Sequence, residues 1–165
     1  MTQGIVFTIP AAPVAKARPR MARMRNGTVR TYTPKKTTEY EKLGRYCAQQ
    51  AMLNQKPLHG PLLFACKLEL PIPKSWSKKK KKQAVEGTLR PVKRPDIDNY
   101  VKALLDSCND VVFVDDSQVV DMMVSKVYSH QPRAILRFIP LDDYEKIAEI
   151  MFPTCDPLFS SHNAQ

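Results

Sequence analysis

The chain has 165 residues, 43% of them apolar, which is enough to bury the core of one domain. Its net charge of +10 is uneven, because the part before Asp96 carries about +17 and the remainder about −7. The basic front favours an anionic partner, and no run of 18 apolar residues is present that would cross a membrane.

The N-terminus and the cysteines indicate a cytoplasmic protein. The first residues lack the charged-then-apolar layout of a secretory signal peptide. The four cysteines are far apart and include no C-x-x-C pair, so neither a zinc site nor a disulfide framework is indicated.

The first half of the chain predicts two strands, a basic arm and a helix. Residues 4–9 alternate as a strand does, and the prolines of the arm at residues 10–30 exclude a continuous helix there. Apolar residues then recur at helical spacing from Pro34, a suitable first helical position, to about Asn54. Residues 62–70 predict a strand, and the lysine run at 78–82 predicts a solvated or disordered loop.

The second half predicts a helix followed by two strands. Asp98 is placed as the N-cap of a helix whose buried face carries apolar residues at positions 101, 104, 105 and 108. A short apolar segment at 111–114 precedes strands at 119–128 and 134–139, and a short helix is predicted at 142–152. The fold class is therefore α+β, a small mixed sheet packed with helices.

A cluster of carboxylates suggests a metal site. In extended backbone, Asp96 and Asp98 would point to the same side and face one cation. Lys102 follows one helical turn after Asp98. Asp115 and Asp116 follow the apolar segment, and a return of that segment toward the helix would bring a third carboxylate to the first two. Mg²⁺ prefers oxygen ligands and keeps several waters, so two or three carboxylates suffice to hold it.

Simpler interpretations of these residues stay open at this point. Asp98 would serve only as a helix cap, Asp98 and Lys102 would form an ordinary ion pair, and Asp115 with Asp116 would form only a turn. D-x-D also occurs in some metal-dependent glycosyltransferases and in haloacid-dehalogenase-like phosphatases. The phosphatases place it directly after an apolar strand, whereas V-K-R-P precedes it in this chain.

The whole pattern is more specific than D-x-D. Residues 94–128 read RPDIDNYVKALLDSCNDVVFVDDSQVVDMMVSKVY. They resemble the signature of the RusA family of Holliday junction resolvases, with D-x-D-N, a lysine four residues after the second Asp, L-L-D, an apolar segment and D-D-S-Q-V-V. Weaker similarity extends over residues 4–140, so we expect a RusA-like domain at 1–140 and a C-terminal helix with a flexible tail at 141–165.

The resemblance implies small α/β homodimers, intertwined or two-fold, that cut four-way DNA junctions with Mg²⁺, for which Mn²⁺ is a possible substitute. Asp96, Asp98 and Asp116 match the family's metal-holding catalytic aspartates, and Lys102 matches its catalytic lysine. Asp115 matches an acidic neighbour without an assigned role. The lysine-rich segment before the signature and the C-terminal tail depart from the family pattern, which leaves substrate preference open.

The basic residues are candidate phosphate contacts. Those predicted to bind DNA are Lys16, Arg18, Arg20, Arg23, Lys78, Lys79, Lys80, Lys93 and Arg94, with Arg25 and Arg30 as further candidates. Trp76 would stack on an unpaired base or pack at the edge of the core. We therefore predict a Mg²⁺-dependent endonuclease for branched DNA, acting on four-way junctions in recombination and repair. The alternatives are a flap or other branched-DNA nuclease and a non-catalytic DNA-binding protein.

Overall fold

The computed structural model describes residues 4–141, and its mixture of helices and a mixed sheet confirms the predicted α+β class. The strands are β1 (Ile5–Ile9), β2 (Arg20–Arg23), β3 (Val29–Tyr32), β4 (Leu62–Pro71), β5 (Val119–Ser129) and β6 (Arg133–Pro140). The helices are α1 (Lys35–Met52), α2 (Lys78–Val85) and α3 (Ile97–Cys108), and a 3-10 turn spans Asp116–Gln118. None of the helices in this described part of the chain is long and apolar enough to span a membrane.

The main sheet has four strands in the order β1-β6-β4-β5. The pairs β1–β6 and β4–β6 are antiparallel, whereas β4 and β5 run parallel. In β1 the burial alternates along the strand, with Ile5, Phe7 and Ile9 buried, as the alternating sequence predicts. The parallel pair matters for the site because it places the start of β5 beside the start of β4.

Helices α1 and α3 pack against each other, α1 lies on β1, and α3 lies on β5. The rings of Phe64 and Phe113 lie 4.9 and 5.5 Å from the ring of Phe138, which forms the centre of the core. Gly44 permits the close approach of the two helices, because a Cβ at this position would lie 2.7 Å from Oγ of Ser107. Burial raises the pKa of the Cys66 and Cys108 thiols to about 12, so these cysteines act as packing groups.

The predicted loop at residues 78–82 is wrong, because these lysines begin helix α2. The Ser77 side chain caps the helix by accepting a hydrogen bond from the Lys80 backbone N–H at 3.4 Å, and Ala84 is buried beneath it. Lysine has a good helix propensity, and the turn of the helix spreads five adjacent ammonium groups around its axis. The high positive charge of this segment therefore did not prevent the backbone from forming a helix.

Helix starts differ slightly from the prediction. Helix α1 begins at Lys35 with Pro34 as its N-cap. Helix α3 begins at Ile97 with Asp96 as its N-cap, so Asp98 lies inside the first turn and does not cap. The basic arm contains the paired strands β2 and β3, which the sequence did not predict. The predicted helix at 142–152 and the flexible tail lie outside the described residues, so the proposed domain division stays a prediction.

Candidate active site

One cavity of about 490 Å³ lies between helix α3 and the start of strand β5. Its charged lining consists of Asp98, Lys102 and Asp116. The remaining lining is apolar and consists of Ile97, Val101, Leu105, Met122 and Val124. Three of the four residues predicted to carry the chemistry therefore share one concave surface, although Asp116 lies 18 positions after Asp98 in the chain.

Helix α3 presents Asp98 and Lys102 on one face because they are one turn apart. The buried residues of the helix, among them Val101, Leu104 and Leu105, pack into the core and fix the orientation of the helix. The Asn99 side-chain amide donates to Oδ1 of Asp98 at 3.2 Å. Lys102 forms its ion pair with Asp106, one turn further on, at 3.7 Å, and not with Asp98 as the simpler interpretation expected.

Asp96 lies at the entrance to helix α3, outside the residues that line the cavity. The premise of a continuously extended D-x-D segment is wrong, because the backbone is extended at Asp96 and helical from Ile97. That Asp96 and Asp98 hold one cation together stays a prediction. Lys126 of β5 donates to the Pro95 carbonyl at 3.1 Å, which ties this loop to the sheet.

The D-D-S-Q segment is held as a capped 3-10 turn. The Asp115 carboxylate accepts from the Ser117 backbone N–H at 2.9 Å, and hydrogen bonding by Ser117 lowers the pKa of Asp115. The Gln118 side chain accepts from the backbone N–H of Val114 at 2.8 Å and of Asp115 at 3.2 Å. Asp115 therefore shapes the turn, and its neighbour Asp116 is the carboxylate at the cavity.

Gln118 also anchors this turn to the loop before β4. Its amide donates to the carbonyls of Leu58 at 3.0 Å and Gly60 at 3.1 Å. Gln118 was not among the predicted site residues, although D-x-x-Q is a capping-box pattern that indicates such a turn. Asp106 was likewise missed, although its position four residues after Lys102 was available as a signal.

Lys16 acts inside the protein. Its ammonium pairs with Glu41 and, at 2.8 Å, with Asp106, and its backbone N–H donates to the Asn99 carbonyl at 2.7 Å. Partial burial alone would lower the pKa of Lys16, but the hydrogen bonds to the two carboxylates outweigh burial and raise it. The structure thus gives Lys16 an internal role in ion pairing, and its predicted contact with phosphate stays a prediction.

The other predicted phosphate contacts lie at the surface. The exposed ones are Arg18, Arg23, Lys78, Lys79, Lys80, Lys93 and Arg94. The side chain of Arg20 lies outside what the structure describes. Lys80 lies 4.4 Å above the Trp76 ring, which packs edge-on against Tyr128 at 5.0 Å. Trp76 is thus used in edge packing, the second of the two roles considered for it.

The donor set suits a hard divalent cation in its chemistry. Asp98 and Asp116 supply carboxylate oxygens, the ligands that Mg²⁺ prefers, and this ion is commonly held by one or two carboxylates with waters and substrate phosphate. Within residues 4–141, however, no three acidic, histidine or cysteine side chains converge on one metal position. Any such ion would be held by Asp98 and Asp116, with Asp96 near the helix start.

Comparison with known proteins agrees with the signature at this site. A family model described as "Endodeoxyribonuclease RusA" matches residues 10–138, which include helix α3, the Asp116–Gln118 turn and strand β5. A protein of Bacillus subtilis (strain 168), described as "Uncharacterized protein YqaN", is 44% identical over 131 residues. That alignment covers 78% of this chain and 91% of the relative.

Proposed function

Because the chain belongs to the RusA family of endodeoxyribonucleases, we propose that it is a Mg²⁺-dependent enzyme that resolves four-way DNA junctions by phosphodiester hydrolysis. The observation that carries the proposal is the cavity shared by Asp98, Lys102 and Asp116. Two carboxylates and an ammonium group at one concave surface are the groups that phosphodiester hydrolysis needs. The exposed basic residues around the chain favour a polyanionic substrate.

Each residue of the cavity has a proposed role. Asp98 and Asp116 would hold the cation, with Asp96 at the helix entrance as a further carboxylate. The chemistry that Mg²⁺ or Mn²⁺ supplies in such sites is neutralisation of phosphate charge and activation of water. Lys102 would hold a phosphate oxygen and stabilise the charge that develops on it, while Asp106 keeps the ammonium group on the cavity side of the helix.

The proposed substrate and assembly follow from symmetry. A four-way junction has two opposed strands to cut, and each chain offers one cavity of the type described. A two-fold homodimer would therefore present one site to each strand, in agreement with the closed symmetry that most homo-oligomers adopt.

Cleavage of a synthetic mobile four-way junction, compared with linear duplex and flap DNA of the same sequence, tests this function. We expect Mg²⁺-dependent cutting of the junction, and removal of the cation with EDTA should abolish it. Preferred cutting of the flap would favour the alternative branched-DNA nuclease. Binding of the junction without cutting in Mg²⁺ or Mn²⁺ would favour a non-catalytic DNA-binding protein.

The site residues are tested by charge-neutral replacements. Asp96→Asn, Asp98→Asn and Asp116→Asn should each lower single-turnover cleavage by about 10³-fold or more. Junction affinity should stay the same or rise, because a carboxylate that repels phosphate is removed. Asp110→Asn is the matched control, since Asp110 is exposed and lies outside the cavity. An equal loss of cutting in Asp110→Asn would contradict the assignment of this cavity as the active site.

A further inference from the structure

Strands β2 and β3 form a two-stranded ribbon, residues 20–32, with apolar side chains that the protein leaves uncovered. Every residue of β3 is exposed. On the ribbon, Met21 is 78% exposed and Val29 60%, while Met24 at the turn is 46% exposed. An isolated two-stranded hairpin is only marginally stable in water, and exposed apolar groups of this kind mark a binding surface. The ribbon therefore has the features of an element that binds an occupant.

The pairing of β2 with β3 determines which side chains of the ribbon lie on the same face. Arg23 lies opposite Val29 and Met21 opposite Thr31, so Met21, Arg23 and Val29 share one face. The turn is closed by a hydrogen bond from the Met24 N–H to the Thr28 carbonyl at 2.7 Å. That face thus carries Met21 and Val29 together with Arg23, and Met24 lies at the turn between Arg23 and Arg25.

The charge of this region identifies an anionic occupant. No acidic residue precedes Glu39, whereas Arg18, Arg23, Arg25 and Arg30 are all exposed. Guanidinium groups pair with phosphate in fixed geometry. Because apolar and cationic groups lie together on one narrow ribbon, the surface suits DNA, which combines phosphates with apolar base faces.

The segment before the ribbon is attached to the helix that carries Asp98. The Lys16 backbone binds the Asn99 carbonyl, and Asn99 adjoins Asp98. Strand β2 starts at Arg20, so the chain from Lys16 to the ribbon spans at most about 14 Å when fully extended. The start of the ribbon therefore lies within about 14 Å of the point where Lys16 binds helix α3, the helix that carries Asp98, so that both could meet the same piece of DNA.

We propose that the ribbon is a wedge that enters branched DNA at the branch point. Met24 and Met21 insert against the bases exposed there, while Arg23 and Arg25 hold the flanking phosphates. Methionine is among the apolar side chains that proteins insert between base steps, and such insertion costs least where stacking is already interrupted. The ribbon would thus select branched over linear DNA, an inference that rests on the proposed function and names the element that gives its substrate selectivity.

A fluorescent base at the branch point tests the wedge. The probe is a four-way junction with 2-aminopurine beside the crossover, bound in EDTA so that no cutting occurs. The wild-type protein should increase the fluorescence by unstacking this base. The Met21→Ser/Met24→Ser variant should lose the increase and bind the junction about tenfold more weakly, while its affinity for linear duplex changes less than about twofold.

Matched variants separate the apolar from the cationic contribution. Arg23→Ser/Arg25→Ser should weaken binding to junction and duplex alike and make the dependence on salt shallower. Tyr46→Ser is the control, because Tyr46 is 59% exposed but lies on helix α1, outside the ribbon. Met24→Ser alone changes only the turn and provides a second variant if the double replacement lowers the thermal midpoint.

The outcomes distinguish this inference from the proposed function. Junction cutting by the wild type together with unchanged fluorescence and affinity in both methionine variants would overturn the wedge and leave the function in place. Loss of self-association in the methionine variants, measured by sedimentation, would overturn the wedge in favour of a second copy as occupant. A wild-type protein that neither binds nor cuts the junction would overturn both.

Discussion

The side-chain amide of Gln118 connects the turn that carries Asp116 to residues 58 and 60 positions earlier in the chain. Its oxygen accepts two backbone hydrogen bonds from the segment before the turn, and its nitrogen donates two to the loop before β4. One side chain therefore holds the second carboxylate of the cavity in register with the sheet.

Gln118→Ala should lower the free energy of unfolding by about 1–3 kcal/mol, because the groups that form four hydrogen bonds are left without this partner and water replaces only part of them. Single-turnover cleavage should fall by more than junction affinity, since Asp116 is no longer held in place. Gln118→Glu keeps the acceptor bonds, so its cleavage rate should lie between those of the wild type and Gln118→Ala. Gln50→Ala, an exposed change on helix α1, is the control. A Gln118→Ala variant with the wild-type cleavage rate would contradict the positioning role.

Glu69 forms two ion pairs on strand β4 of the main sheet. Its carboxylate, 8% exposed, accepts from Arg133 at 2.6 Å and pairs with Lys67 at 3.1 Å. Burial alone would raise the pKa of Glu69, but hydrogen bonds from these cations outweigh burial and hold the pKa below its ordinary value of 4.5. The ion pairs therefore contribute stability above that pH, which is lost as the pH falls through the lowered pKa.

Glu69→Gln should destabilise the protein by about 1–3 kcal/mol at neutral pH, where the wild-type carboxylate is charged. The difference between wild type and variant should shrink as the pH falls below 4.5. Urea unfolding from about pH 7 to about pH 3 measures both quantities. Glu86→Gln removes only an exposed pair with Lys82 and should have little effect at any pH. Parallel curves for wild type and Glu69→Gln would refute the linkage.

At the scale of elements, helix α2 divides its five lysines into two groups. Lys80 lies over Trp76, Lys81 donates to the Lys74 carbonyl at 2.9 Å, and Lys82 pairs with Glu86 at 3.7 Å. Lys78 and Lys79 have no such contact within the described residues and are exposed. Because the run is a helix, replacing it with serine would also weaken the helix, so glutamine is the better substitute.

Lys78→Gln/Lys79→Gln should weaken DNA binding and make the slope of log K against log salt shallower by about 0.9 for each phosphate that is no longer neutralised. Single-turnover cleavage at saturating DNA should stay unchanged, because neither lysine lines the cavity. Lys82→Gln is the control, since its ammonium already has an acidic partner. Identical affinity and slope in the double variant would show that the helix is only solvated.

At the scale of the whole molecule, one cavity within the described residues contains Asp98, Lys102 and Asp116 and would serve one scissile strand, whereas the proposed junction resolution needs two cuts. We therefore expect a homodimer in which each chain supplies one site. Sedimentation at micromolar concentration should give twice the mass of the chain, with paired cuts on opposed strands. A stable monomer that still makes paired cuts would refute this expectation.

Local patterns in the amino-acid sequence were enough to predict the α+β class, the strands β1, β4, β5 and β6, the helices α1 and α3, and the RusA signature from Arg94 to Tyr128. The period of buried residues along a strand or helix depends only on residues close together in the chain, so it can be recognised without knowing the fold. The buried face of α3 followed directly from the spacing of its apolar residues. The same reasoning failed at the lysine run, where charge was taken as a sign of a loop although helix propensity and a serine cap prevailed.

The packing of helices and strands, in contrast, decided which distant side chains meet. Lys16 pairs with Glu41 and with Asp106, and Gln118 binds the loop before β4. The partners in these contacts are 25 to 90 positions apart in the chain. A hydrogen bond or an ion pair depends on separations of a few ångströms that are set by how the elements pack. The spacing of residues along the chain contains no such distance. The presence of Asp98 and Asp116 in one cavity therefore depends on the packing of α3 on β5, which the sequence alone does not give.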